Sequence, residues 1–159
     1  MTEKAREIAE RLLALTGKAM REGDFATFIR AFHLPHRVGT FEKDIVIRTE
    51  EDMRLLVENV RAYYRKIGVT HVERYVVSAE FRSDNEIVST HISHLMAGTR
   101  QLTEPGAVFS VTRKIGSDWL LVSSEYALEE SHTKALQFDT GSHSNVLTFP
   151  DPDTCGLMS

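Results

Sequence analysis

The chain has 159 residues, 42% of them hydrophobic, which is enough for one globular domain with a sizeable core. Its formal net charge of −4 provides no general attraction to phosphate backbones or anionic lipid, so nucleic acid is not an expected partner. No apolar run approaches the roughly 20 residues of a membrane span. The first residues predict an amphipathic helix instead of a signal peptide, so we expect a cytoplasmic protein without a membrane partner. The single cysteine, Cys155, excludes an intrachain disulfide and a thiolate metal cluster.

The first part of the chain predicts two helices in succession. Apolar residues spaced three or four apart indicate an amphipathic helix over residues 3–21. Gly23 ends it, and Asp24 is the expected N-cap of a short second helix. We expect the second helix to end at Leu34–Pro35, because the residue before a proline avoids helical backbone angles. Its aromatic stripe, interpreted as core packing compatible with the roof of a cavity, consists of Phe25, Phe28, Ile29 and Phe32.

A small hairpin and a third helix follow. Alternating residues predict two short strands, 37–41 and 44–48, around Glu42–Lys43. Thr49 is the expected N-cap of the third helix, which carries Tyr64 in its buried stripe and ends at Gly68.

The longest pattern in the chain, residues 70–97, predicts two strands joined by a tight turn at residues 83–86. Centring the hairpin between Asp84 and Asn85 puts Phe81 opposite Val88, Ala79 opposite Thr90, Val77 opposite Ile92 and Tyr75 opposite His94. This face is mainly apolar, so we expect it to point toward the helices and the polar face to point outward. A β-bulge in either strand would reverse the assignment on one side of it.

The last part of the chain predicts a second hairpin and a tail. Residues 107–114 and 119–127 alternate as two strands across a turn at 115–118, with Phe109 and Val111 on one face. Beyond them the composition becomes polar, with few apolar residues. We therefore interpret residues 1–129 as one folded domain and residues 130–159 as an extended C-terminal arm.

The order of these elements resembles the cone-shaped α+β fold of the nuclear transport factor 2-like superfamily, and within it the SnoaL-like branch. The residues that carry the resemblance are Gly23-Asp24-Phe25, Leu34-Pro35-His36, Ile47-Arg48-Thr49-Glu50 and Trp119. The resemblance covers about residues 3–127. It implies three N-terminal helices packed on a strongly curved, mostly antiparallel sheet, a pocket at the open end of the cone, and commonly a homodimer through the outer face. It implies no single reaction, because the superfamily includes isomerases, dehydratases, cyclases, epoxide hydrolases and non-catalytic binding modules.

The Tyr75/His94 pair is the sharpest candidate for chemistry. A neutral imidazole can accept a proton near physiological pH, and a phenol can donate to a developing oxyanion. A Tyr/His pair that only satisfies its own hydrogen bonds is the alternative. Around this pair, the expected pocket is lined by Phe28, Phe32, Tyr64, Val77, Ile92, Phe109 and Val111.

No metal and no cofactor are expected. His91 and His94 lie three apart on a strand and so face opposite ways. His33 and His36 have no carboxylate-rich stretch beside them, which favours surface or hinge positions over a metal site. A Gly-rich phosphate loop is missing, so nucleotide binding has no support.

Two classes of function remain open. The first is a non-catalytic SnoaL-like protein that binds a small apolar molecule. The second is a cofactor-independent isomerase, dehydratase or cyclase acting on a small carbonyl-bearing substrate, with His94 as base and Tyr75 as donor. In both, we expect a homodimer through the polar face of the sheet. Its predicted interface residues are Arg74, Val76, Ser78, His91, Ser93, Leu95, Thr112 and Leu121.

Overall fold

The computed structural model describes residues 4–40 and 43–127, which form three helices and seven strands. The helices are α1 (Ala5–Glu22), α2 (Phe25–Ile29) and α3 (Glu50–Ile67). The strands are β1 (Phe32–Gly39), β2 (Asp44–Ile47), β3 (His71–Ser83), β4 (Glu86–Ala97), β5 (Arg100–Gln101), β6 (Gly106–Ile115) and β7 (Asp118–Ala127). The predicted arm at 130–159, and residues 41–42 of the small hairpin, lie outside the described residues. None of the described helices is both long and apolar enough to cross a membrane.

The strands form one sheet in the order β2-β1-β7-β6-β4-β3, and β5 pairs with β4. β1 and β7 pair in parallel, whereas all other neighbours are antiparallel. The helices cover one face of the sheet, here named the inner face, which carries Arg74, His91 and Val108. The opposite, outer face carries Tyr75 and Phe109. The predicted α+β class, with three N-terminal helices on a strongly curved and mostly antiparallel sheet, is therefore confirmed.

Local capping explains where the third helix begins and ends. The hydroxyl of Thr49 accepts a hydrogen bond from the backbone N–H of Asp52 at 3.1 Å, as its N-cap position predicts. At the other end Gly68 adopts φ 86°, a left-handed conformation that favours glycine because it has no Cβ. Both boundaries follow from the sequence.

The second helix is shorter than predicted. α2 ends at Ile29, and Phe32 already belongs to β1, so the expected helical end at Leu34–Pro35 is wrong. The backbone N–H of Leu121 donates to the carbonyl of Ala31 at 2.8 Å, and β1 continues beside β7. Pairing with a distant strand thus overrides the local aromatic stripe.

The long hairpin has the predicted turn but a different register. Arg82 and Val77 are extra residues in β3, because pairing shifts between Phe81 and Ser83 and again between Val76 and Ser78. The first shift places Ile87 instead of Val88 on the inner face, and Ile87 is fully buried. The second shift turns the end of β3 over, so that Tyr75 pairs with Ile92 on the outer face.

Two apolar clusters hold the helices to the inner face. In one, Met53 of α3 packs with Ile47 of β2; in the other, Ile8 of α1 packs with Ile87 of β4. All four side chains are at most 1% exposed. Burial of each such side chain stabilises the fold by about 1.5–3 kcal/mol. These contacts fix the helices over the sheet at the edges of a cavity.

Candidate functional site

A cavity of about 400 Å³ lies between the helices and the inner face of the sheet. α1 contributes Leu13, Thr16 and Gly17 to its wall, and α3 contributes Val57 and Tyr64. The sheet contributes residues from β3, β4, β6 and β7, which include Arg74, His91, Ser93, Val108, Ser124 and Tyr126. The cavity therefore combines mainly apolar helix side chains with a sheet wall in which polar and apolar side chains are mixed.

The cavity wall includes three of the predicted lining residues, whereas the others lie outside it. Phe28, Phe32 and Tyr64 do line the cavity. The remaining predicted lining residues, which lie on the outer face or in the bulge of β3, are Tyr75, Val77, Ile92, His94, Phe109 and Val111. The prediction assumed that an apolar face must point inward. Here the inward face borders a cavity, so its side chains need not be apolar. The bulge at Val77 reverses the direction in which the side chains of residues 71–76 point.

Tyr75 and His94 do contact each other, on the outer face. Their ring centroids lie 5.7 Å apart, and the Tyr75 hydroxyl is 3.5 Å from Nε2 of His94. Nδ1 of His94 donates to Gln101 at 2.7 Å, and Tyr75 is 52% exposed. The pair is therefore real but cannot act on a molecule held in the cavity, and the inward orientation predicted for it is wrong.

The face predicted as a dimer interface lines the cavity instead. Members of that set found in the cavity wall are Arg74, Val76, His91, Ser93, Leu95, Thr112 and Leu121. Ser78 alone pairs with Thr90 on the outer side. Apart from Ser78, the predicted interface residues therefore face the cavity and are not on the outer face that a second copy could contact.

Arg74 is the charged group at the centre of the inner face. Its Nη2 donates to the Leu13 carbonyl at 2.7 Å and to the Thr16 hydroxyl at 3.1 Å, both on α1. A Cβ at Gly17 would lie 2.7 Å from the same nitrogen, so glycine permits this close approach. Burial lowers the pKa of Arg74, whereas the phenols of Tyr126 and Tyr64 raise it.

His91 faces the same space as Arg74. Burial, and to a smaller extent the positive charge of Arg74, lowers the pKa of His91 to about 4. The imidazole is therefore neutral near pH 7. A neutral ring can donate one hydrogen bond and accept another. It leaves the guanidinium of Arg74 as the charge in this part of the cavity.

A second polar group joins β1 to β7. His36 is only 1% exposed; its Nδ1–H donates to the Leu121 carbonyl at 3.2 Å, and the Ser124 hydroxyl donates to its Nε2 at 3.2 Å. Burial lowers the pKa of His36 to about 4, although the bond to Leu121 raises it. Ser124 also shares a hydrogen bond with Tyr126. The predicted surface or hinge position of His36 is therefore wrong.

No family model and no curated protein matches the sequence. Solved structures do match the fold. An NTF2-like (nuclear transport factor 2-like) protein of unknown function from Shewanella oneidensis is 11% identical with a TM-score of 0.60, the match covering 77% of this chain and 98% of that one. A cystatin-like domain of unknown function from Nostoc punctiforme is 18% identical, with a TM-score of 0.63 and coverage of 89% and 90%.

A third structure, from Streptomyces avermitilis, is provisionally named a dehydratase of the NTF2-like family. It is 12% identical, with a TM-score of 0.58 and coverage of 78% of this chain and 95% of that one. The chain has the NTF2-like fold. Identities this low establish the architecture of an NTF2-like protein and leave its reaction and ligand to be argued from the site.

The charged residues of the cavity wall are all of one sign. Its wall includes four arginines, namely Arg21, Arg61, Arg65 and Arg74, and no aspartate or glutamate among the described residues. Glu80 and Glu125 lie on the outer face, so neither carboxylate can act as a base on a molecule in the cavity. No group of three His, Cys, Asp or Glu side chains in the described segments could hold a metal ion. The site is therefore cationic, and it offers hydrogen bonds instead of metal ligands.

Sequence reasoning missed Arg74, Ser124 and Tyr126 as cavity residues. Arg74 was assigned to the outer face, although an arginine flanked by Tyr75 and Val76 in a strand is itself unusual. Ser124 and Tyr126 are two residues apart and so lie on one face of β7. The neighbouring sequence does not show whether the helices cover that face. The missing information was the side of the sheet that the helices occupy.

Proposed function

We propose that this NTF2-like protein binds a small, mostly apolar molecule in the cavity. The cavity itself carries the proposal: about 400 Å³ is within the range of small-molecule sites, roughly 300–1,000 Å³. Apolar side chains of α1 and α3 would contact the body of the ligand, and the few polar groups on the sheet would orient it. On the sequence motifs at Gly23-Asp24-Phe25 and Trp119, we place the chain in the SnoaL-like branch.

Filling the cavity tests this proposal. Ser93→Phe adds a large side chain on the inner face of β4, whereas Ser123→Phe makes the same change on the outer face of β7. A ligand at one hundred times its dissociation constant should stabilise the parent against thermal unfolding by roughly 2.7 kcal/mol. We expect Ser93→Phe to lose that stabilisation and Ser123→Phe to keep it, with circular dichroism confirming that both are folded. Equal stabilisation of the two variants would place the ligand elsewhere.

A cofactor-independent isomerase, dehydratase or cyclase is the second candidate function. The hydrogen-bonded series His36, Ser124 and Tyr126 at the cavity wall favours it, as does the likeness to the provisional dehydratase. Binding ranks first because burial lowers the pKa of both His36 and His91 to about 4. A general base is most effective when its pKa is near the working pH. Turnover of a carbonyl-bearing ligand that disappears in His91→Asn while binding persists would reverse this ranking.

A further inference from the structure

We infer that the ligand carries one negative charge, as a carboxylate, and that this group binds to the guanidinium of Arg74. The inference rests on the proposed function and names the chemical class of the bound molecule. It predicts a small monocarboxylate whose charged end is directed at β3 and whose apolar body contacts the helices.

The first argument is the hydrogen bonding of Arg74. A guanidinium has five N–H donors, and α1 takes the two on Nη2 through Leu13 and Thr16. Within residues 4–40 and 43–127, the donors on Nε and Nη1 have no hydrogen-bond acceptor. The contact with α1 thus fixes the position of the guanidinium and leaves three donors for a bound group. Fixing a donor before binding reduces the ordering cost of the complex.

The second argument is charge. A buried cation without a counterion is costly, so such a group is normally paired. The ionisable groups that act on Arg74 are the phenols of Tyr64 and Tyr126, and burial raises the pKa of Tyr64 to about 12. Both phenols, like His91, are therefore neutral near pH 7. A single anionic group from the ligand would balance the charge, whereas a doubly charged phosphate would leave one negative charge unbalanced.

The third argument is the positive charge of the other arginines in the cavity wall, and it does not depend on Arg74. Arg21 and Arg65 are exposed and Arg61 is half-buried, and all three line the same cavity without an accompanying carboxylate in the described segments. The whole chain has a net charge of −4, so this concentration of one sign is specific to the cavity. A cleft of uniform charge attracts ligands of the opposite sign.

A panel of aromatic and aliphatic monocarboxylates, each with its matched primary amide, tests the inference by isothermal titration on the full chain. The amide has nearly the same shape but no charge. We expect each acid that binds to do so roughly 10- to 100-fold more tightly than its amide, because hydrogen bonds to charged groups are worth about 1.5–3 kcal/mol. Arg74→Met should abolish this preference, and Arg100→Met, at an exposed arginine of β5 outside the cavity wall, should preserve it.

A second variant separates loss of the site from loss of folding. Gly17→Ala places a Cβ 2.7 Å from Nη2 of Arg74, which is too close for van der Waals contact, so the guanidinium must shift away from α1. Alanine favours the interior of a helix over glycine, so the melting temperature should not fall. We expect the acid preference to fall several-fold in a protein that is at least as stable as the parent.

The outcomes distinguish the two proposals. Acids and amides that bind equally, in the parent and in Arg74→Met, would overturn the carboxylate inference and leave an apolar binding site intact. An acid preference that survives both Arg74→Met and Gly17→Ala would place the anion elsewhere and also overturn it. Absence of saturable binding by every acid and amide in the panel would overturn the proposed function as well.

Discussion

At the scale of single residues, His36 limits the stability of the fold in acid. Its Nε2 accepts a hydrogen bond from the Ser124 hydroxyl, which requires a neutral ring, whereas its Nδ1–H can donate to Leu121 in either protonation state. Burial lowers its pKa to about 4 from an ordinary value of 6.5. Between these values the unfolded chain binds a proton that the folded chain excludes, so stability falls as the pH is lowered through this range. Above pH 6.5 the contribution is fully present, and the loss by pH 4 is about 3 kcal/mol.

We expect His36→Asn to flatten this dependence. The free energy of unfolding, measured in urea between pH 4 and pH 7.5, should change less with pH in the variant than in the parent. His91 contributes in the same direction, since burial also lowers its pKa to about 4, so some slope should remain.

His94→Asn is the matched control, because His94 lies on the outer face. It should follow the pH dependence of the parent. A parent and a His36→Asn variant with identical slopes would show that another group is responsible for the acid sensitivity.

At the scale of elements, the N-cap of α3 makes a separable contribution. The Thr49 hydroxyl satisfies the backbone N–H of Asp52, which has no other partner within the helix. Thr49→Ala should therefore lower the free energy of unfolding by about 1 kcal/mol. Urea denaturation followed by circular dichroism measures the change.

Thr49→Ser keeps a hydroxyl at the same position and should be close to the parent. Equal losses in the alanine and serine variants would mean that the methyl group of Thr49, and not its hydroxyl, is what stabilises the end of the helix.

The elements that sequence analysis located correctly have local causes. The cap at Thr49, the helix end at Gly68 and the turn at residues 83–86 each depend on a few neighbouring residues. The bulge at Val77 depends instead on how β3 fits β4 and α1, and no residue type specifies it. Alternation then predicts which residues share a face but cannot show which face the helices cover. This is why Tyr75 and Arg74 were assigned to the wrong sides.

At the scale of the whole molecule, the outer face of the sheet exposes apolar and aromatic side chains to solvent. Its aromatic side chains Tyr75 and Phe109 are 52% and 46% exposed, and the half-buried Val88, Ile92 and Val111 lie on the same face. Contiguous apolar surface on a folded domain is typical of an association site. We propose that a second copy of the chain packs against this face, in place of the residues first predicted.

Phe109→Glu tests the proposed homodimer. Phe109 lies near the middle of β6, and a carboxylate there would have to be buried without a partner in the assembly. Light scattering at micromolar concentration should give twice the chain mass for the parent and the chain mass for the variant.

Ile115→Glu provides the comparison, because Ile115 is also exposed but lies at the end of β6, beside the turn. It should remain a dimer. A parent that is monomeric in the same measurement would contradict the proposal outright.

The bulges of β3 also bear on the size of molecule that the protein accepts. Val77 and Arg82 make this strand two residues longer than the stretch of β4 that it pairs with, and β7 has a similar extra residue, Val122, opposite β6. Each extra residue bends its strand and increases the twist of the sheet. Removal of Val77 would leave Arg74 opposite Ser93 on the inner face, yet it would reduce the bend. The volume of the cavity thus depends on differences in length between paired strands. Deletion of Val77 alone would change the size of ligand that fits, while Arg74 stays on the inner face.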